Sequence, residues 1–175
     1  MSGAASRRWA RVLGHVGKEA RLFADALGGR HDRSTNLLVV GVPEFEPWHF
    51  AAHLGEQADR CGRVDLVPTL LRWRVPPGAP SHLAITVDAL MSASRSQTVL
   101  VIDPFGGAPE LLERLADAKH QGARIMTVHR DQSELIELSH ETLSVDPLRP
   151  IRDFEVVQHL VSDLTPIPAD VKSSE

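Results

Sequence analysis

Residues 36–42 read NLLVVGV and residues 97–102 read QTVLVI. Each is a short apolar run rich in β-branched residues, too short for a buried helix and lacking the polar alternation of a half-exposed strand. Strands apolar on both faces belong in a parallel sheet covered by helices on both sides. The segments around them have helical spacing, so strand and helix alternate, the pattern of a three-layer α/β sandwich.

Working upstream, Trp9, Val12, Leu13, Val16, Ala20, Phe23 and Leu27 recur at helical spacing until Gly28-Gly29, which predicts an extra amphipathic helix at the start. Between the two apolar runs, Glu46-Pro47 open a helix that reaches about Gly62, with Pro47 at its first position, and a short strand is expected at Val64 to Val67. The stretch RVPPGAP (74–80) is turn chemistry, and Ser81 caps a helix expected from His82 to about Ser94, with Leu83, Val87, Leu90 and Met91 inward.

Downstream of the second run, a helix from Pro109 to Gln121 ends at Gly122, and Arg124 to Val128 is a strand. A short helix capped by Ser133, a strand from Thr142 to Val145 and a last helix from Arg152 to Leu164 complete the pattern. The expected architecture is a five-stranded parallel sheet in order 2-1-3-4-5, flavodoxin-like, in one domain over residues 1–165 with a flexible tail at 166–175.

The 175 residues are 42% apolar and 24% charged, as in one ordinary globular domain. With 19 Lys+Arg against 23 Asp+Glu, the net charge of -4 provides no basic field for nucleic acid or anionic lipid. Charged residues interrupt the first thirty positions, so neither a leader nor a membrane span is expected there. The single cysteine, Cys61, forms no internal disulfide; it fits a reducing cytoplasm and is expected as a small core residue closing the second helix.

In a sheet of this order, ligands bind in the crevice at the carboxyl ends of strands one and three, where the crossovers diverge. Two loops border it, PEFEPW (43–48) and DPFGGAP (103–109). Gly106-Gly107 ahead of Pro109 present backbone N–H groups suited to an anion, or simply allow a tight turn into the helix. Glu44, Glu46, Asp103 and Glu110 place up to four carboxylates around the same crevice. At about 5 Å and an effective dielectric near 20, each unpaired carboxylate opposes an anion by about 3 kcal/mol, which favours cations or neutral polyols. The structural alternative has Glu46 capping its helix, Glu110 at a helix N-terminus, and Asp103 and Glu44 solvated.

A second constellation is HFAAH, with His49 and His53 at i,i+4 on one side of a helix and so able to share a metal such as zinc. The buried stripe of that helix is Phe50, Leu54, Ala58 and Cys61, so the histidines are expected to face water or another subunit. A third imidazole is available at His159 on the last helix, although spacing does not bring it near.

The run VLVIDPFGGAPELLERLADAKHQGARIMTVHRDQSELIELSHETLSVD (99–146) resembles the second half of a sugar isomerase (SIS) domain. With NLLVVGV and HFAAHL added, the similarity in organisation extends over roughly residues 5 to 165. Among SIS domains, HFAAHL (49–54) and FEVVQHLVSDL (154–164) are similar to stretches of phosphoheptose isomerases. Those enzymes use a helix after the first strand and a C-terminal helix for zinc and for moving protons at a subunit interface.

The resemblance implies His49 and His159 as the candidates for zinc and proton movement; with His53, which could act as a base, the expected metal ligands are His49, His53 and His159 and the expected catalytic pair is His53 and His159, in a homodimer or tetramer joined through the first and last helices. Its departures are specific. His53 stands where the family has its catalytic Glu, the family's Gln ligand falls near Ile151, and hydroxyl residues are missing from both phosphate loops.

The expected function is therefore that of a SIS-like protein binding a carbohydrate derivative, or acting in a regulatory or structural role, without the usual sugar-phosphate isomerase activity. Glu44, Asp103, Gly106 and Gly107 are the expected ligand-binding positions. The alternative is a metal-dependent aldose–ketose isomerase of the phosphoheptose type, with zinc the cofactor to consider.

Overall fold

The computed structural model describes residues 17–29, 36–106, 108–130, 133–146 and 151–165. In chain order the elements are helix α1 (17–29), strand β1 (Asn36–Gly41), α2 (Trp48–Arg60), β2 (Pro68–Leu71), β3 (Gln97–Asp103), α3 (Pro109–His120), β4 (Arg124–His129), α4 (Ser133–Leu138), β5 (Glu141–Ser144) and α5 (Ile151–Leu164). The five strands form one sheet, all parallel, in the order β2-β1-β3-β4-β5.

Alternation along the strands divides the core in two. Leu37 and Val39 of β1, with Leu100 and Ile102 of β3, pack beneath α1, α2 and α5 through Phe23, Leu54 and Phe154. Their neighbours Leu38, Val40, Val99 and Val101 face the opposite layer, where Leu111 and Leu115 of α3 and Leu135 of α4 close over them. Both faces of the central strands are thus buried, which is why these segments are continuously apolar.

Three local expectations are corrected. Val64 to Leu66 is a 3₁₀ turn, and the strand begins at Pro68. The Arg63 guanidinium donates to Asp65 Oδ2 at 2.7 Å and to the Gly28 carbonyl, also at 2.7 Å, which ties this segment to the end of α1. Proline at the first residue of an edge strand costs no ladder bond.

The expected helix over 82–94 is instead two 3₁₀ turns, Ser81–Leu83 and Val87–Ser92. Between them the backbone is extended, because Arg72 N donates to the Ile85 carbonyl and Val87 N donates to the Arg72 carbonyl. Val87 and Leu90 point inward, whereas Leu83 and Met91 are exposed.

Cys61 is exposed rather than buried. Helix α2 stops at Arg60, and Gly62 at φ +65° turns the chain away before the apolar stripe reaches Cys61. Gly107, Trp9 to Val16 and the 166–175 tail lie outside the described residues. Among the described residues, no helix is long and apolar enough to cross a membrane.

Candidate metal centre and adjoining cleft

Helices α2 and α5 lie side by side on the same sheet face, anchored by Phe50 and Leu54 on one and Phe154, Val157 and Val161 on the other. This packing turns the flank of α2 that carries His49 and His53 towards α5, not away from the chain. The expectation that these rings meet only solvent or a second subunit is corrected: their neighbour is His159 of the same chain. Periodicity gives a residue's angle around its own helix, but not which helix lies beside it.

The three rings form a compact triangle. Centroid separations are 4.7 Å for His49 and His53, 5.1 Å for His49 and His159, and 4.6 Å for His53 and His159, all edge to face. One ring nitrogen from each lies within 4.8 Å of the other two. His49 is exposed and the other two are half-buried, so the cluster opens on one side. One turn further along both helices, Gln57 Nε2 donates to Asp163 Oδ1 at 3.2 Å and fixes their relative register. Burial, first, and the neighbouring His53 and His49 imidazoles push the His159 pKa below the ordinary histidine value, against the opposing pull of Asp163 and Glu155.

The donor set fits a divalent transition metal. Imidazole suits zinc, copper and nickel, and open zinc sites use three protein ligands with a fourth position free. Zn–N bonds of about 2.0–2.1 Å require nitrogens about 3.3 Å apart in a tetrahedron. Closing to that spacing from within 4.8 Å calls for side-chain rotation, for which the partial exposure of the rings leaves room.

Beside the triangle is a cleft of about 420 Å³. Phe45, Pro47, Trp48 and Phe50 provide its apolar wall, and His49 and His159 border it. Its other polar groups are Glu46, Glu155 and Gln158. Trp48 is 61% exposed and meets the His49 ring edge to face at 5.3 Å. Trp48 and Gln158 were not among the sequence candidates; both flank a singled-out histidine, and adjacency was the only signal.

The acidic crevice differs from its sequence reading in detail. The β1 and β3 loops do meet, with the Phe45 and Phe105 rings edge to face at 6.2 Å. Glu46 does not cap α2; its Oε1 accepts from Arg72 Nε at 2.9 Å and Nη2 at 2.5 Å. Asp103 is fully buried, not solvated, and its Oδ1 accepts the backbone N–H groups of Phe105 at 3.0 Å and Gly106 at 2.8 Å. Gly106 has φ +107°, a conformation glycine adopts freely. Glu44 is exposed, and Glu110 sits in the first turn of α3 as expected.

No family model matches the chain, and no curated protein matches it. Solved structures do. The sugar isomerase domain of an RpiR transcription factor from Sphaerobacter thermophilus superimposes with a TM-score of 0.55 at 17% identity, covering 88% of this chain and 83% of that one. A Methanococcus jannaschii protein, whose structure was taken to infer a 3-hexulose-6-phosphate isomerase function, gives 0.55 at 14% identity over 87% of this chain and 77% of its own. NanR of Vibrio vulnificus, in complex with ManNAc-6P, gives 0.56 at 14% identity; it covers 94% of this chain, which spans 61% of NanR. The fold is that of the SIS domains of phosphosugar isomerase-like and regulatory proteins.

Proposed function

We propose that the protein is a SIS-type domain that holds a divalent transition metal, zinc foremost, on His49, His53 and His159 and binds a carbohydrate derivative in the adjoining cleft. One observation carries the reading: an imidazole of the last helix stands within 4.8 Å of the HxxxH pair. A metal there supplies a Lewis acid for a hydroxyl or carbonyl oxygen. Phe45 and Trp48 offer an apolar wall for a ligand to lie against, and Glu155 and Gln158 offer hydrogen bonds to it.

The resemblance to phosphosugar proteins extends to the carbohydrate and not to its ester. Among the described residues, neither a lysine, an arginine nor a hydroxyl side chain lines the cleft. In the β3 loop, where Gly106-Gly107 offered either N–H groups for an anion or only a tight turn, the Gly106 N–H already serves Asp103. This rests on engaged amides and an unhelpful lining, rather than on repulsion by four free carboxylates.

A nitrogen that ligates a metal does not also accept a proton, so the histidines serve binding and polarisation rather than proton transfer. A second reading, aldose–ketose isomerisation with His53 and His159 moving the proton, is favoured by the depressed pKa of His159, which keeps that ring in its basic form near neutrality. Elemental analysis of tag-free protein separates the two. About one equivalent of metal, lost in His49→Ala and His53→Ala, supports the first reading; metal-free protein that interconverts an aldose and a ketose supports the second. Self-association through the outer faces of α1 and α5, where Leu22 is exposed, belongs to the same proposal. A monomer at every concentration in sedimentation equilibrium contradicts that part.

A further inference from the structure

Gln158 is 6% exposed and lines the cleft beside His159, and its amide makes no hydrogen bond to another described residue. The amide is thus not committed to a described neighbour and is placed to pair with a group in the cleft. The same cleft is lined by Trp48, a large aromatic side chain left 61% exposed on the first turn of α2. An aromatic face together with a hydrogen-bonding amide is a usual way to hold a molecule with one apolar face and an edge of hydroxyls.

Charge narrows the ligand further. Glu155 lines the cleft one helical turn before His159, and Glu46 is held by Arg72 from outside the lining. In the metal-free cleft an anionic ligand therefore meets a carboxylate and, among the described lining residues, no lysine or arginine, whereas an uncharged one meets hydrogen-bonding groups.

We propose that Trp48 and Gln158 form the ligand-reading subsite of the cleft and that it takes an unphosphorylated sugar, its ring lying on the Trp48 indole and a hydroxyl paired with the Gln158 amide. This deepens the carbohydrate-binding reading and depends on it, but not on the metal. The amide both donates and accepts, so it pairs with a sugar hydroxyl in either sense.

The test is a titration followed by the Trp48 indole N–H resonance, assigned by its disappearance in Trp48→Phe. The probes are neutral sugars from pentoses to heptoses, each beside its phosphate ester, with zinc binding measured in parallel for every variant. At least one neutral sugar is expected to shift the resonance saturably and to bind at least tenfold more tightly than its phosphate ester. Gln158→Leu is expected to weaken that sugar about tenfold while leaving zinc binding unchanged, and Gln158→Glu, which keeps the acceptor and length, to weaken it less. A phosphate ester binding more tightly than its parent sugar overturns the proposal, as does Gln158→Leu binding sugar like the wild type. If no neutral sugar shifts Trp48 although zinc binds, the subsite falls and the metal centre stands; if sugar binds and zinc does not, the reverse holds.

Discussion

Replacing His159 by alanine tests the cluster where it crosses from one helix to another. His49 and His53 share α2, while His159 is the candidate ligand that α5 contributes among the described residues, so the substitution leaves a two-imidazole pair on a single helix. A metal that binds only the folded chain stabilises it by about 2.7 kcal/mol at one hundred times its dissociation constant. For a 175-residue chain, each kcal/mol moves the melting midpoint by about 2–4 °C, so zinc should raise the wild-type midpoint by about 5–11 °C. In His159→Ala that rise should fall below about 2 °C, because two ligands leave the affinity far weaker. Differential scanning calorimetry with and without zinc, using tag-free protein and magnesium as the control ion, reads the difference directly. Equal zinc shifts in the two proteins would refute the three-ligand arrangement.

Several other perturbations have definite signs. In metal-free protein, the depressed His159 pKa means that the unfolded chain takes up a proton before the folded one does. The stability it contributes is complete above about pH 6.5, the unfolded value, and is lost as pH falls through the lower folded value; urea midpoints should drop over that interval, and less so in His159→Ala. Gly41→Ala should destabilise the chain and disturb the cleft, since a Cβ there would lie 1.9 Å from the Phe45 carbonyl oxygen and 2.7 Å from Pro47 Cδ; an unchanged urea midpoint would contradict the close approach. Phe154→Ala empties a fully buried position between α5 and the sheet and should cost about 3–5 kcal/mol in urea denaturation, with weaker zinc binding because His159 shares that helix.

The sheet was legible because its central strands are buried on both faces: NLLVVGV and QTVLVI admit little else, and β1 and β3 lie where those runs do. Elements held by specific side-chain or backbone ties were less so. The Arg63 tie to Asp65 and Gly28, and the Arg72 bonds to residues 85 and 87, displaced a strand and divided a helix. Apart from the local Arg63–Asp65 pair, these contacts join separate segments, and none leaves a periodic trace. For the site, HFAAH gave two rings and their spacing, but the third came from a residue 106 positions beyond His53, a count given by 159 minus 53. Only the packing of α5 beside α2 brings it there. Asp103 was visible as an acid but not as a buried one, because two of its partners are backbone N–H groups of its own loop.

The central claim is that His49, His53 and His159 bind one metal together. Zinc K-edge absorption spectroscopy on protein loaded with one equivalent of zinc addresses it most directly. The account predicts a first shell of nitrogen and oxygen at about 2.0–2.1 Å with outer-shell scattering from three imidazoles, reduced to two in His159→Ala. A first shell lacking imidazole scattering, or a wild-type spectrum unchanged by His159→Ala, would contradict it.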